Sequence, residues 1–301
     1  MELLKHKLQI LFKDLRNICK YISNLNRKTF LLFIKTPFAM RHICLYLNGK
    51  FYIKDGNLLL EITKRIGKDE TSLTFHIKNS IDIFTIHEIF YVFPYAFSDA
   101  QNNYIVLDVG ANIGDTALYF ASYKNVDKVY AFEPFLKTYQ EACANFALNK
   151  DISGKIEIFN FGVSNAAQKE LRVKYSDKSS ISMNAKDSEY NSKVVKGDVE
   201  TVSIELKSVD YIFKHILPIL SSPPPREARR KILLKIDCEG GEYEIFEAMD
   251  ESNLFENLDI IMLEHHKGRQ SLLDILAKHS FVSFPLGNSE KQGLIFAVKR
   301  I

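Results

Sequence analysis

The chain has 301 residues, of which 46% are hydrophobic, and 40 Lys and Arg against 37 Asp and Glu leave a formal net charge of +3. This length and apolar content allow one large α/β domain with an appendage. The four cysteines have no C-x-x-C or histidine-paired spacing, which argues against a disulfide framework or a zinc site. Apolar runs fall short of the roughly 18 residues of a membrane span, and lysines interrupt every candidate signal core, so we expect a cytoplasmic protein.

The first 42 residues are predicted to form a basic helical arm. They hold nine Lys and Arg against two acids, a net charge of +7, so the rest of the chain sums to −4. Apolar residues recur there in a short heptad seam: Leu4, Leu8, Leu11, Leu15, Ile18, Ile22 and Leu25. Three interpretations stay open. The arm could dock on the domain, form a coiled-coil homodimer, or lie on an anionic membrane surface and make the protein membrane-peripheral.

Residues 43–101 are predicted to be a small α+β lead-in. The turn signals Asn48-Gly49 and Asp55-Gly56 stand between alternating apolar residues, a pattern typical of hairpins. A further strand is expected over residues 71–78. Helical spacing then returns and stops at Pro94, and we expect this last helix to pack beside the main sheet.

Strand and helix patterns alternate through residues 102–301, which predicts right-handed βαβ units and a parallel sheet. The alternating elements are predicted as strands 104–109, 128–132 and 155–160, helices 114–124 and 136–149, later strands 231–237, 258–264, 281–284 and 293–299, and later helices 241–249 and 269–279. Residues 169–176 and 198–206 indicate an extra hairpin on one edge. The proline-rich, basic stretch 221–231 is expected to be an exposed connection.

A glycine-spaced loop follows the first of these strands. Asp108, Gly110 and Gly114 match neither the G-x-G-x-x-G dinucleotide fingerprint nor a phosphate-binding P-loop. Acids at Asp108 and Asp115 suit a ligand with cationic groups, such as S-adenosylmethionine. Glu133 ends the second strand, where an acid grips ribose hydroxyls. Together these residues predict a nucleoside pocket at the carboxyl ends of neighbouring strands.

Further acids follow the fourth and fifth strands. Asp237, Glu239 and Glu242 come directly after the strand KILLKI, and Glu264 and His265 end the next strand. Asp237 is predicted to hold the donor or the acceptor, Glu239 to lie near the acceptor, and His265 to be the general base, because its pKa suits neutral pH. We assign no metal ligands, although the carboxylates could instead bind Mg²⁺. His266 is expected in a surface loop, and Lys235 is either a strand-edge lysine or a substrate contact.

These motifs resemble the FkbM family of S-adenosylmethionine-dependent methyltransferases. The resemblance covers roughly residues 80–298. It rests on the segments LDVGANIGD (107–115), FEP (132–134), LKIDCEGGE (234–242) and IMLEH (261–265). It implies an α/β class I methyltransferase fold, a Rossmann-like sheet of seven strands with the last antiparallel. It also implies O-methylation of a hydroxyl on a sugar, glycolipid or other small molecule, with S-adenosyl-L-methionine as cofactor.

The family's cofactor residues carry over by position. The resemblance implies that Asp108, Gly110, Asn112 and Gly114 line the methionine moiety, Asp115 the loop floor and Glu133 the ribose, while Phe132 and Pro134 border the adenosine. The adenine turn is less similar, because Asn165 replaces the usual acid in the stretch from Asn160 through Gly162. Backbone amides or the Asn160 side chain would then contact adenine.

Three rival functions fit the sequence less well. Base methylation in nucleic acids commonly uses an Asn/Asp-Pro-Pro-aromatic turn, and the acidic residues around Asp237 suit no phosphate-bearing partner, so no nucleic acid is expected. A non-catalytic S-adenosylmethionine-binding protein stays an alternative. A nicotinamide oxidoreductase is disfavoured by the glycine spacing. The expected partner is a small-molecule or glycan hydroxyl acceptor.

Overall fold

The chain divides into two compact units. The first contains residues 1–96 and 144–150, and the second contains residues 97–143 and 151–301. The computed structural model describes residues 32, 35–66, 69–92, 94–96, 101–176, 199–217, 230–287 and 289–300. The heptad seam and most of the proline-rich connection lie outside the described residues, and the predicted domain boundaries at 42 and 101 stay predictions. Within the described ranges, no helix is both long and apolar enough to cross a membrane.

The first unit combines a small antiparallel sheet with short helices. Its elements are α1 (Pro37–Tyr46), β1 (Lys50–Lys54), β2 (Asn57–Ile66), β3 (Asp69–His76), α2 (Ser80–His87) and a π-helical turn (Glu88–Val92). The strands pair in the order β1-β2-β3. The Asn79 side chain caps α2 by accepting a hydrogen bond from the Ile81 amide at 2.6 Å.

One predicted hairpin in this unit is wrong. The Asp55-Gly56 turn does join β1 to β2 as an antiparallel pair. Asn48-Gly49, however, follows a helix rather than a strand, because α1 continues to Tyr46. Pro37 in the first turn favours helix initiation, since its φ is already fixed near the helical value. Asn48, at φ 50°, then leads the chain out of the helix.

The second unit contains the seven-stranded sheet and its helices. Its strands and helices begin with β4 (Tyr104–Val109), α3 (Asp115–Ala121), β5 (Val126–Phe132), α4 (Leu136–Leu148), α5 (Lys150–Ser153) and β6 (Ile156–Phe159). The end of α4 and the start of α5 fall in residues 144–150, which belong to the first unit. They resume with β10 (Lys231–Ile236), α7 (Glu242–Glu251), a 3₁₀ turn (Leu254–Asn257), β11 (Ile260–His265), α8 (Gln270–Lys278), β12 (Phe281–Leu286) and β13 (Gly293–Lys299).

The order of the strands confirms the predicted fold class. The sheet runs β12-β13-β11-β10-β4-β5-β6, and the pairs among β11, β10, β4, β5 and β6 are parallel. The last strand, β13, is antiparallel to both of its neighbours. Chain order reverses between β4 and β10, and such a switch point opens a crevice at the carboxyl ends of the two strands.

Burial explains the apolar runs that mark the central strands. Every residue of β4 is buried, and all of β10 except its first residue is buried as well. Helices cover both faces of such a parallel sheet, which is why its strands lack the alternation of a half-exposed strand. Aliphatic and aromatic side chains of α7, including Ile245, Phe246 and Met249, pack into the same core.

The predicted extra hairpin exists but does not extend the main sheet. The strands β8 (Gln168–Tyr175) and β9 (Glu200–Ser208) are an antiparallel pair, as expected. They form a separate three-stranded sheet with β7 (Gly162–Ser164), in the order β7-β9-β8. A short α6 (Val209–Tyr211) and a π-helical turn (Ile212–Ile216) follow β9. This small sheet has its own apolar core, which includes Phe135, Tyr175 and Ile204.

Candidate functional site: a nucleoside loop beside an acidic cluster

The loop after β4 is shaped by residues with positive φ. Gly110 and Gly114 have φ angles of 80° and 81°, and Asn112 between them has φ 48°. A Cβ on Gly110 would stand 1.9 Å from the carbonyl oxygen of Asp237. Only glycine fits this position, because the strand ends of β4 and β10 touch there through their backbones. The loop after β4 therefore directly adjoins the acidic segment after β10.

A buried lysine holds these two strand ends together. The Lys235 Nζ lies 3.1 Å from an Asp108 carboxylate oxygen and donates a hydrogen bond to the carbonyl of Gly110 at 2.8 Å. Both side chains are almost fully buried, at 2% and 0% exposure. Burial alone lowers the pKa of Lys235, but the charges of Asp108 and Asp237 raise it above its ordinary value. Lys235 is thus a structural cation inside the sheet.

Glu133 joins the loops that follow β4 and β5. One carboxylate oxygen accepts a hydrogen bond from the Asn112 amide at 3.0 Å, and the other accepts one from the Phe135 amide at 2.9 Å. Burial raises the pKa of Glu133 to about 8, although both amides oppose the shift. The Asn112 Oδ1 is buried and has no hydrogen-bond partner among the described residues. A buried acceptor without a partner fits a site in which a bound ligand donates the hydrogen bond.

The remaining predicted cofactor residues lie around this loop. Asp115 begins α3, and burial raises its pKa to about 7. Phe132 ends β5 and packs against Phe159 of the neighbouring strand. The Asn160 side-chain amide donates to the carbonyls of Glu133 and Pro134, which closes the turn after β5. The structure therefore brings the predicted loop, ribose and adenine residues together.

Because Gly162 has no side chain, the side chains of Leu206 and Pro134 can pack closely against its backbone. A Cβ there would stand 3.3 Å from the Pro134 side chain and 2.7 Å from that of Leu206. The small sheet that starts at β7 therefore depends on a bare backbone at this position. A polar lining for adenine would have to come from the neighbouring residues.

Glu242 organises the acidic segment after β10. It is fully buried at the start of α7. One of its carboxylate oxygens accepts from the Gly240 amide at 2.7 Å. The other accepts from the His266 amide at 2.9 Å and lies 3.1 Å from His266 Nδ1. Glu242 thereby ties the turn after β10 to the turn after β11.

His266 lies among acids on three sides. Its Nε2 is 3.4 Å from a Glu239 carboxylate oxygen and 3.8 Å from one of Glu264. Burial lowers the pKa of His266, but the bond to Glu242 and the charges of Glu239 and Asp237 raise it to about 9. One ligand atom each from Asp237, Glu239 and His266 lies within 4.8 Å of the others. We refer to these three residues as the acidic cluster.

The prediction that His266 lies in a surface loop is wrong, because only 7% of its side chain is exposed. His265, predicted to be the general base, is fully buried, and its Nε2 stands 3.2 Å from where a Cβ on Gly293 would be. No ion pair is recorded between His265 and an acid of the described chain, whereas His266 has three. Successive side chains of a strand point to opposite faces, and extending this alternation one residue past β11 puts His266 on the side of Glu264, whose carboxylate lies 3.8 Å from its Nε2. This alternation was the signal in the sequence that could have identified His266.

Strand order, switch point and the loop after β4 together define a class I methyltransferase domain. The comparisons with known proteins identify the family. The methyltransferase FkbM domain matches residues 108–282. The chain belongs to this family of S-adenosylmethionine-dependent methyltransferases.

Two curated relatives differ greatly in length. The methyltransferase sdnD of Sordaria araneosa is 30% identical over 184 residues, which cover 56% of this chain and 70% of the relative. The AMB antimetabolite synthetase AmbE of Pseudomonas aeruginosa is 29% identical over 203 residues. The match covers 59% of this chain but only 9% of that much longer protein.

Solved structures resemble the chain only distantly. The FkbM methyltransferase of Methylobacillus flagellatus is 14% identical with a TM-score of 0.40, over 70% of this chain and 47% of that one, so the chain spans about half of its length. TrmK of M. capricolum, solved with S-adenosylhomocysteine, is 10% identical with a TM-score of 0.35, over 66% of this chain and 64% of that one. The fold assignment rests on the strand order described above.

Proposed function

We propose that the protein transfers the methyl group of S-adenosylmethionine to a hydroxyl of a sugar, glycolipid or other small molecule. The observation that carries this proposal is the contact between the loop after β4 and the acidic segment after β10. The Gly110 backbone meets the Asp237 carbonyl, so a donor held by the loop after β4 has the acidic cluster as its neighbour. Family membership supplies the donor chemistry, and the cluster supplies the acceptor side.

The charge of the cluster supports a hydroxyl-bearing acceptor. Carboxylates accept hydrogen bonds from hydroxyl groups but repel phosphates. The buried ammonium of Lys235 is already engaged by Asp108 and by the Gly110 carbonyl. A neutral polyol therefore suits this side of the site better than a nucleic acid backbone does.

The reaction requires alignment and the removal of one proton. The acceptor oxygen attacks the methyl carbon, the carbon–sulfur bond breaks, and the sulfonium keeps the bonding electron pair as a neutral thioether. The hydroxyl proton leaves to a neighbouring carboxylate or to water. Holding donor and acceptor in line can lower the barrier by ~7–11 kcal/mol. In this proposal the loop and Glu133 align the donor, and Asp237 and Glu239 align the acceptor.

Isothermal calorimetry with S-adenosylhomocysteine, NAD and an oligonucleotide tests the donor assignment. We expect S-adenosylhomocysteine alone to bind. At pH 9, above the raised pKa of Glu133, we expect Glu133→Gln to weaken that binding by about 1–3 kcal/mol through lost charge-assisted hydrogen bonds. Glu157→Gln is the matched control, because Glu157 on β6 is half-exposed and pairs with Lys128 on the surface. Incubation with labelled S-adenosylmethionine and a panel of glycans and polyols then identifies the acceptor.

Two results would contradict the proposal. Binding of NAD in place of S-adenosylhomocysteine would reassign the pocket to another nucleotide. Binding of S-adenosylhomocysteine with transfer of label to an oligonucleotide, and to no hydroxylated small molecule, would keep the donor assignment and overturn the acceptor class.

A further inference from the structure

We infer that Asp237, Glu239 and His266 bind a first-row divalent cation such as Mn²⁺, Fe²⁺ or Zn²⁺. The role that we give this ion, holding the acceptor hydroxyl, rests on the proposed function. The site itself rests on geometry. The three ligand atoms lie within 4.8 Å of one another. Ligands at roughly 2.0–2.2 Å from a common ion are about 3–4.4 Å apart, so a small inward movement of the side chains brings all three ligand atoms within reach of one ion.

Glu242 gives His266 the tautomer that a metal ligand needs. The buried carboxylate of Glu242 faces Nδ1 at 3.1 Å and also accepts the backbone amide of the same residue. A carboxylate can only accept, so Nδ1 carries a hydrogen, and the lone pair of the neutral ring is on Nε2. A carboxylate behind a histidine is the usual arrangement that orients a metal-binding imidazole. Glu242 is therefore a positioning residue.

The Nε2 of His266 is the second, independent indication of a ligand. It belongs to a side chain that is only 7% exposed, and it has no hydrogen-bond partner among the described residues. The nearest acid oxygen, from Glu239, is 3.4 Å away, which exceeds the 2.7–3.2 Å typical of an N–H···O bond. A buried nitrogen that lies 3.4 Å or more from the surrounding acid oxygens, and is hydrogen-bonded to none of them, fits an ion between them.

The surrounding charge also favours a cation. Glu264, with 22% of its side chain exposed, lies 3.8 Å from the same Nε2. Asp237, Glu239, Glu242 and Glu264 bring four acids to one end of two strands, and Lys235 is held by Asp108. A divalent ion would offset this negative charge, and it would replace any proton on Nε2.

The ligand set points to the kind of metal. Two carboxylates and one imidazole suit Mn²⁺, Fe²⁺ or Zn²⁺ better than Mg²⁺, which prefers oxygen ligands alone. Three protein ligands leave coordination positions open. An acceptor hydroxyl bound there would become more acidic, and its proton would leave to Glu264 or to water while its oxygen takes the methyl group.

The experiment measures metal binding apart from methyl transfer. The 301-residue chain is stripped with a chelator, and free Mn²⁺ is followed by electron paramagnetic resonance during titration, without donor or acceptor. We expect one Mn²⁺ per chain, and at least tenfold weaker binding for Glu239→Gln and for His266→Ala. Glu247→Gln is the matched control, since Glu247 is an exposed acid of the same helix α7. Mg²⁺ should compete at least tenfold more weakly than Zn²⁺.

Calorimetry with S-adenosylhomocysteine on the same metal-free samples separates the two proposals and shows whether each variant is folded. Suppose that the variants bind S-adenosylhomocysteine as the wild type does, but that the wild type binds Mn²⁺ and Zn²⁺ no more tightly than the His266→Ala variant does. The metal site is then refuted and the methyltransferase proposal stands. If Mn²⁺ binds as expected but S-adenosylhomocysteine does not, the proposed function fails and the metal site remains.

Discussion

Replacing Lys235 by methionine tests whether the buried ammonium holds the site together. The substitution keeps the length and apolar stem of the side chain but leaves the Asp108 carboxylate, at 0% exposure, without its counter-charge. Two unit charges 3.1 Å apart attract each other by about 5 kcal/mol at an effective dielectric constant of about 20. Removing one partner of such a pair typically costs about 3–5 kcal/mol. We expect Lys235→Met to lower the free energy of unfolding by that amount.

Urea unfolding followed by far-ultraviolet circular dichroism is the appropriate assay, since the chain has no tryptophan. Lys128→Met is the control, because Lys128 forms a partly exposed ion pair with Glu157 on neighbouring strands. Its loss should cost at most about 1 kcal/mol. The double variant Asp108→Asn/Lys235→Met should recover part of the loss. A Lys235→Met variant within 1 kcal/mol of wild type would refute the reasoning.

Two further predictions concern the loop residues. Gly110→Ala should destabilise the protein by more than about 2 kcal/mol and abolish S-adenosylhomocysteine binding. The reason is that the Cβ of the alanine would overlap the Asp237 carbonyl, at a position where φ is 80°. Normal unfolding and normal binding by this variant would contradict the loop geometry. Burial raises the pKa of Glu133 to about 8 from an ordinary value of 4.5, so the folded protein holds a proton that the unfolded chain has lost between those values. Unfolding free energy should therefore fall as pH rises from about 5 to 8. In Glu133→Gln this fall should be smaller by at least about 1 kcal/mol, and an unchanged slope would show that Glu133 does not titrate in this range.

The order of the helices and strands was largely predictable, because the spacing of apolar residues along the sequence reflects which side chains are buried. The apolar run of β4, the loop after it and the acid at Glu133 are local patterns, and the structure places them together. The helix α1 was missed because the apolar residues before Asn48 fit a strand as well as a helix. The start signal of that helix, Pro37, lies outside the stretch read as a hairpin.

Other features depend on contacts between distant parts of the chain. The hairpin of β8 and β9 could be recognised from its alternation, but the sheet that it joins is set by β7 and not by the hairpin itself. The residues around Lys235 in the sequence do not indicate its function, because its partner Asp108 is more than a hundred positions earlier in the chain. His266 could be distinguished from His265 only by extending the alternation of the strand one residue past β11, which puts His266 on the side of Glu264.

The ammonium group inside the sheet has a consequence for inhibition. Because Lys235 compensates Asp108, the acid nearest to the glycines exerts little net attraction on a positively charged sulfur atom. Donor and spent donor differ by a methyl group and this one charge, so Asp108 does little to favour the donor over its by-product. We expect the enzyme to retain its by-product firmly, and its rate in a cell to depend on how quickly S-adenosylhomocysteine is cleared.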